Sequence, residues 1–304
     1  MSRIDAGIRE ELIAAGLDPD ALEALVRVAV DEDLDGGVDV TTVATVPAEQ
    51  RATLDLVARR PGVVAGVPVA AAVFSYVGGS EVVIDERVAD GTAVDAGTVV
   101  ISVTGSTHVL LQAERPALNL LGHLSGVATA TRAWVDAIAG TSAAVRDTRK
   151  TTPGMRRLEK YAVRCGGGVN HRMSLSDAAL VKDNHVVAAG GVAAAFDKVR
   201  AMWPGLPVEV EVDSLAQLTE VLDAGADLVL LDNFTPDQMR LAVGIAREHA
   251  AHSGGARCLL EASGGLTLPD AAAVGATGVD YVAVGALTHS APVLDVGADL
   301  RPLA

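Results

Sequence analysis

The chain is poor in cysteine, in aromatic residues and in positive charge, and each shortage excludes something. Two cysteines in 304 residues, Cys165 and Cys258, cannot build a disulfide framework. No Cys-x-x-Cys or Cys/His metal spacing occurs, so reduced thiols are expected. Three Phe, three Tyr and two Trp are too few for a platform on which bases stack. With 24 Lys+Arg against 39 Asp+Glu, the net charge of −15 sets up a field that repels nucleic acid and anionic membranes. No stretch approaches 18 uninterrupted apolar residues, and the charged start, Met1 to Leu12, lacks the basic-then-apolar layout of a secretion signal. A cytoplasmic protein with neither nucleic-acid nor membrane partners is expected.

What is present is an ordinary folding composition, 50% hydrophobic and 21% charged, at a length that admits one large barrel or two domains. The first hundred residues read as mixed α and β. Helices are expected over Ile4–Ala15, Pro19–Val30 and Pro68–Val77, with strands at Ala52–Ala58, Glu81–Asp85 and Thr98–Val103 between glycine and proline turns. His108 to Ala139 is helical in pattern, and Pro116 should start or kink a helix there. After Gly140, short apolar runs alternate with helix-length segments, which implies parallel strands. The runs are Ala143–Thr148, Ala179–Lys182, Pro207–Val212, Leu228–Leu231, Cys258–Ala262 and Tyr281–Val284. Between them Ser214 should cap a helix over Leu215–Ala224, Thr235-Pro236 should open another, and Thr267–Val274 reads as a further one. The span 119–289 is short of the ~200 residues of a full eight-unit barrel, so an incomplete barrel of six to seven strands is expected, or else a doubly wound open sheet.

In such a barrel the active site lies at the C-terminal strand ends. Here the runs end in Arg149-Lys150, Lys182, Glu211, Asp232, Ser263-Gly264-Gly265 and Gly285 leading to His289. Cations gather unevenly: Arg146 to Lys182 holds nine Lys+Arg against three acids, a local excess of +6 in an acidic chain. That contrast points to an anionic ligand, for which Arg149, Lys150, His171, Arg172 and Lys182 are the best candidates. The loops at Ser263–Gly265 and Gly285–Leu287 are placed to cradle phosphate on backbone N–H groups. Glu211 and Asp232 suit Mg²⁺, which takes one or two carboxylates plus substrate oxygens, although salt bridges to Lys150 or Lys182 are an alternative role. These residues describe an enzyme acting on a phosphorylated, multiply anionic small molecule. A transferase using a sugar pyrophosphate, a Schiff-base lyase using Lys150 or Lys182, and a non-catalytic anion sensor remain open, with the sensor last because it needs no metal carboxylates.

Seven ordered motifs then take on a resemblance: Glu114–Asn119, Asp147–Thr151, Gly166–Arg172, Leu180–His185, Glu209–Glu211, Leu231–Asn233 and Glu261–Gly265. Together with Gly37–Thr42, this set resembles the quinolinate phosphoribosyltransferases over nearly the whole chain. The resemblance implies an N-terminal α/β sandwich over residues 1–118, an incomplete α/β barrel over 119–289 and a tail, 290–304, that returns to the first domain. It implies a homodimer in which Arg115 enters the partner's site. It implies the joining of quinolinate to phosphoribosyl pyrophosphate with Mg²⁺ and loss of carbon dioxide, in NAD synthesis. Carried over residue by residue, substrate binding falls to Arg115, Thr148, Arg149, Lys150, His171, Arg172, Lys182, Glu211, Asp232, Ser263, Gly264, Gly265, Gly285 and His289. Catalysis falls to Lys150, Lys182, Glu211 and Asp232, with Glu211 and Asp232 near the metal, directly or through water. A molybdenum-transport-associated homologue of the same fold is the nearest rival.

Overall fold

A computed structural model describes residues 3–303, the side chain of Glu86 apart, and divides the chain into two compact units. Met1, Ser2 and Ala304, the ends of the expected ranges, lie outside the described residues. One unit runs up to Ala130 and adds Arg157–Gly167 and the chain from Ser290 onward; the other is Thr131–Arg156 with Gly168–His289. The division at 130/131 falls inside a helix, twelve residues beyond the boundary expected at 118/119.

In the first unit α1 (Ala6–Ala14) and α2 (Pro19–Leu34) start on aspartate caps, Asp5 and Asp18, whose carboxylates accept the first free amides. The short α3 (Val40–Thr45) is capped in the same way by Asp39. Strand β1 (Arg51–Ala58) leads through β2 (Gly62–Val63) to α4 (Val67–Gly78), which is buried almost all round. Then come β3 (Val83–Arg87), β4 (Ala93–Val94) and β5 (Val99–Ser106). The last strand of the chain, β12 (Val296–Pro302), pairs antiparallel with β1, giving the sheet order β12-β1-β5-β3. The tail therefore belongs to this unit. A 31-residue helix, α5 (Thr107–Ala137), follows β5 and contains Pro116 within it. Of the two roles expected for Pro116, starting or kinking a helix, the first is thus corrected. Nine residues of helix precede it, and a proline there removes only one backbone donor from a helix this long.

The second unit is built on six parallel strands: β6 (Ala144–Arg146), β7 (Ala179–Val181), β8 (Val208–Val212), β9 (Leu228–Asp232), β10 (Leu259–Ser263) and β11 (Tyr281–Ala283). Their order is β6-β11-β10-β9-β8-β7. Among the described residues the outer edge of β6 takes one further parallel bridge, Arg146 to Val169, where a seventh strand would stand. The crossovers are α7 (Asp183–Ala189), α8 (Val192–Met202), α9 (Leu215–Asp223), α10 (Pro236–Ser253) and α11 (Ala271–Gly275), and the short α12 (Ala286–His289) follows the last strand. Ser214 and Thr235 cap α9 and α10 as their sequence positions require. The helix expected over Thr267–Val274 is instead a 3₁₀ turn at Leu268–Asp270 followed by α11, because Asp270 caps back onto Thr267 and tightens the first turn. The helix α6 (Arg156–Cys165) begins at the boundary of the two units, and its Glu159 and Lys160 are fully buried rather than spent on solvent.

Candidate active site

Side chains alternate across a strand, so residues in register and two apart share one face. Register pairs Glu211 with Leu230 and Asp232 with Ser263, which puts Glu211, Asp232 and Ser263 on the same face at the C-terminal ends of three neighbouring strands. Lys182, just past the end of β7, pairs its Nζ with Glu211 Oε2. Its side chain is 46% exposed and that of Glu211 14%. Asp232 Oδ2 accepts from Asn233 Nδ2 at 2.8 Å.

The glycine loops sit beside these ends. Gly264 adopts φ +97°, and a Cβ there would lie 2.3 Å from Asn233 Oδ1 and 2.9 Å from the Asn233 amide, so only glycine fits against β9. The loops after β6 and β11 are joined: Thr288 Oγ1 donates to the Lys150 carbonyl at 2.7 Å, and a Cβ on Gly285 would meet Lys150 Cδ at 3.0 Å and His289 Nε2 at 3.3 Å. Thr148 Oγ1 accepts from the Lys150 amide at 3.0 Å and shapes the same turn. Lys150, Gly285 and His289, distant in sequence, thereby form one corner.

Arg172 is half-buried, and its Nη1 donates to the Ala178 carbonyl at 2.9 Å. Desolvation first, then the charge of Arg149, lowers its pKa from the ordinary arginine value. Arg149 Nε is itself buried without a hydrogen-bond partner. Two guanidiniums that disfavour each other's charge in partial burial are an arrangement that an anion relieves.

One layer deeper on the same strand faces stand Arg146, Glu209 and Glu261. Arg146 Nη1 reaches Glu261 Oε2 at 2.7 Å and Glu209 Oε1 at 3.7 Å, and its guanidinium lies 4.6 Å from the Tyr281 ring centre. His171 joins them from the loop, with Nε2 at 2.8 Å from Glu209 Oε2. Its Nδ1 accepts from the Arg172 amide at 2.6 Å. Burial, then the charge of Glu209, pushes the Glu261 carboxyl up to about 8, against the pull of Arg146. His171, Glu209 and Glu261 bring ligand atoms within 4.8 Å of one another, but the Arg146 guanidinium already supplies the cation there. Sequence reasoning set His171 among the substrate-binding residues; its ring is engaged at both nitrogens, by the Arg172 amide and by Glu209. It passed over Arg146, Glu209, Glu261 and the fully buried Asp147. The available signal was the Glu209-Val-Glu211 spacing, which puts both glutamates on one strand face.

A hollow of about 720 Å³ opens at the N-terminal ends of the strands beside Ala179, Val208, Leu228 and Trp203, and its inner wall is Arg146, His171, Arg172 and Glu209. That end of a parallel barrel carries stability rather than chemistry. Arg115 lies in the first unit on α5, 60% exposed, 3.9 Å from Glu114.

The model of the quinolinate phosphoribosyl transferase N-terminal domain matches residues 39–125 and that of the C-terminal domain residues 127–299. The chain belongs to the quinolinate phosphoribosyltransferase family. A nicotinate-nucleotide pyrophosphorylase (carboxylating) of Mycobacterium leprae is 52% identical over 92% of this chain and 98% of its own length. A quinolinate phosphoribosyltransferase (decarboxylating) of Nicotiana tabacum is 36% identical over 90% and 81%. The crystal structure of NadC from Streptococcus pyogenes superposes with a TM-score of 0.88 at 38% identity, covering 95% of this chain and 99% of that one. As a member of this family the chain is an enzyme, a decarboxylating phosphoribosyltransferase, with the family's α/β fold. Among the described residues no helix is long and apolar enough to cross a membrane.

Proposed function

We propose that the protein transfers the phosphoribosyl group of phosphoribosyl pyrophosphate to quinolinate, releasing pyrophosphate and carbon dioxide and leaving nicotinate mononucleotide for NAD synthesis. The observation that carries the choice of a dianionic acceptor is the Arg149–Arg172 pair, whose mutual repulsion two adjacent carboxylates would relieve. Held by these cations, the pyridine nitrogen faces the anomeric carbon of the ribose. The nitrogen's electron pair forms the new C–N bond as the bond to pyrophosphate breaks. The charge that develops on the sugar is met by Glu211 and Asp232, fixed on neighbouring strands. Lys150 and the loops at Gly264 and Gly285 take the phosphate oxygens on an ammonium and on backbone N–H groups. The 2-carboxylate then leaves as carbon dioxide, its bonding pair stays on the ring carbon beside the cationic nitrogen, and a proton from water replaces it.

The donor set also fits Mg²⁺: two hard carboxylates from adjacent strand ends, with Glu211 Oε2 held by Lys182 and Asp232 Oδ2 by Asn233. Bound there with the pyrophosphate oxygens, the ion would neutralise leaving-group charge. A Schiff-base lyase gains no support, because Lys182 is ion-paired and Lys150 exposed, whereas such lysines are activated in desolvated pockets or beside other cations.

The test is turnover of quinolinate with phosphoribosyl pyrophosphate and Mg²⁺, followed as carbon dioxide release and nucleotide formation. Nicotinate, one carboxylate short, should be poorer by about 10-fold or more, and equal turnover of the two overturns the reading. The proposal includes a homodimer in which Arg115 serves the partner's site. Inactive Arg115→Ala protein mixed with inactive Lys150→Ala protein should then regain activity in about a quarter of all sites, since half the exchanged dimers are mixed and each holds one intact site. No recovery after verified exchange assigns Arg115 to its own subunit.

A further inference from the structure

We propose that Glu209 is a positioning residue: it holds His171 in its neutral Nε2–H form and so fixes the Asn170–Arg172 turn that delivers Arg172 to the anion site. The claim about His171 stands by itself; its kinetic consequence rests on the proposed function.

The turn has little backbone support. Val169 makes one parallel bridge to β6, and the residues after it belong to no strand. Side chains hold it instead, from two sides. From the end of β6, the fully buried Asp147 accepts from Asn170 Nδ2 at 2.6 Å and from the His171 amide at 2.8 Å. From β8, Glu209 accepts from His171 Nε2 at 2.8 Å. The imidazole passes the constraint on, because its Nδ1 accepts the Arg172 amide at 2.6 Å. Ring orientation thus sets the peptide plane from which the Arg172 side chain departs, and Glu209 sets ring orientation.

The surroundings keep the ring neutral and Glu209 available. A protonated ring would present Nδ1–H to the Arg172 N–H, donor against donor. The charged and titratable groups facing His171 are Glu209 on β8, Glu261 on β10, whose Oε1 lies 3.8 Å from Nε2, Asp147 and Arg146 at the end of β6, and Arg172 beside it. Arg146 stands against both glutamates, so the block carries its own counter-charge and asks nothing of the substrate. A buried ionic network of this kind suits a positioning role better than a ballast role, which apolar side chains would fill without desolvating charge.

Two measurements decide it. In the ¹⁵N-labelled full-length protein, ring-nitrogen NMR should show His171 with a protonated Nε2 and a bare Nδ1 from about pH 6 to 9, where an ordinary histidine loses its charge at the acid end. In kinetics, Glu209→Leu removes the acceptor and should raise the KM for quinolinate about 10-fold or more with kcat within about threefold, while Glu209→Gln, whose amide oxygen accepts the same bond, stays within about threefold on both. A charged His171 ring at neutral pH overturns the proposal, as does a folded Glu209→Leu protein with unchanged KM. Should Glu209→Leu not fold, Glu209→Gln decides: a KM raised 10-fold there overturns it and a KM near the unaltered value supports it. If the unaltered protein does not turn over quinolinate, the proposed function fails and the NMR state of His171 still decides this one.

Discussion

Glu209 and Glu211 stand two residues apart on one face of one strand, and they differ in everything else. Glu211 is at the rim, paired with an exposed lysine that a ligand can displace. Glu209 is 4% exposed, bound to the buried His171 and faced by an arginine that is itself paired. On the proposed reading, the same side chain moved one layer, about 7 Å along the strand, changes from a group that meets substrate into a group that shapes its neighbours. Depth in a barrel, rather than residue type, divides the chemistry from its support.

Glu211→Gln is the sharpest way to break that division. Removing a charge aimed at the developing ribosyl cation should cut kcat by about 10²–10³ and leave the melting temperature nearly unchanged. A Glu211→Gln protein that melts early but, while folded, turns over normally would make the rim glutamate structural and erase the contrast.

The deeper layer should answer to pH through stability instead. Glu261 holds a proton in the folded state that the unfolded chain releases near the ordinary value of 4.5, so its stabilising contribution is complete below that value and is lost as pH rises through about 8. At about 1.4 kcal/mol per unit, denaturant unfolding from about pH 6 to 9 should cost the unaltered protein roughly 3 kcal/mol more than Glu261→Gln, which cannot ionise. Parallel pH profiles for the two proteins would mean that Glu261 is ionised throughout.

The first unit supplies the smallest effect and the control. Its Asp90 is half-buried and also pushed up by desolvation, but it accepts from the Gly66 and Val67 amides at 2.8 and 3.0 Å and from the Tyr161 hydroxyl at 2.6 Å, and caps α4. Tyr161→Phe should lower stability by about 1 kcal/mol, read as a small drop in the melting temperature, with kinetics unchanged. Altered kinetics would show that this acid is more than a cap.

The six parallel strands were legible because each is a short apolar run bounded by helix caps, and Ser214 and Thr235 mark their helices unambiguously. The rim was legible for the same reason: where an apolar run stops, its last polar residue faces the barrel mouth. The inner layer was not. A glutamate inside an apolar run reads as a surface position until the side chains of β8 and β6, distant in the sheet order, bring it 3.7 Å from Arg146, and no local pattern carries that order. Of the two readings of Pro116, a helix start failed because a long helix tolerates the loss of one donor that ends a short one.

The unfinished wall of the barrel has a mechanical meaning. A closed ring of strands shares every load among neighbours on both sides, and no part of it yields alone. Here the sheet has a seam: past β6 two backbone bonds, Val169 N to Val145 O at 2.8 Å and Asp147 N to Val169 O at 3.2 Å, are all the ladder that the described residues provide. The segment bearing Arg172 is therefore moored to the sheet by side chains more than by backbone, through Asp147 at the end of β6 and Glu209 on β8.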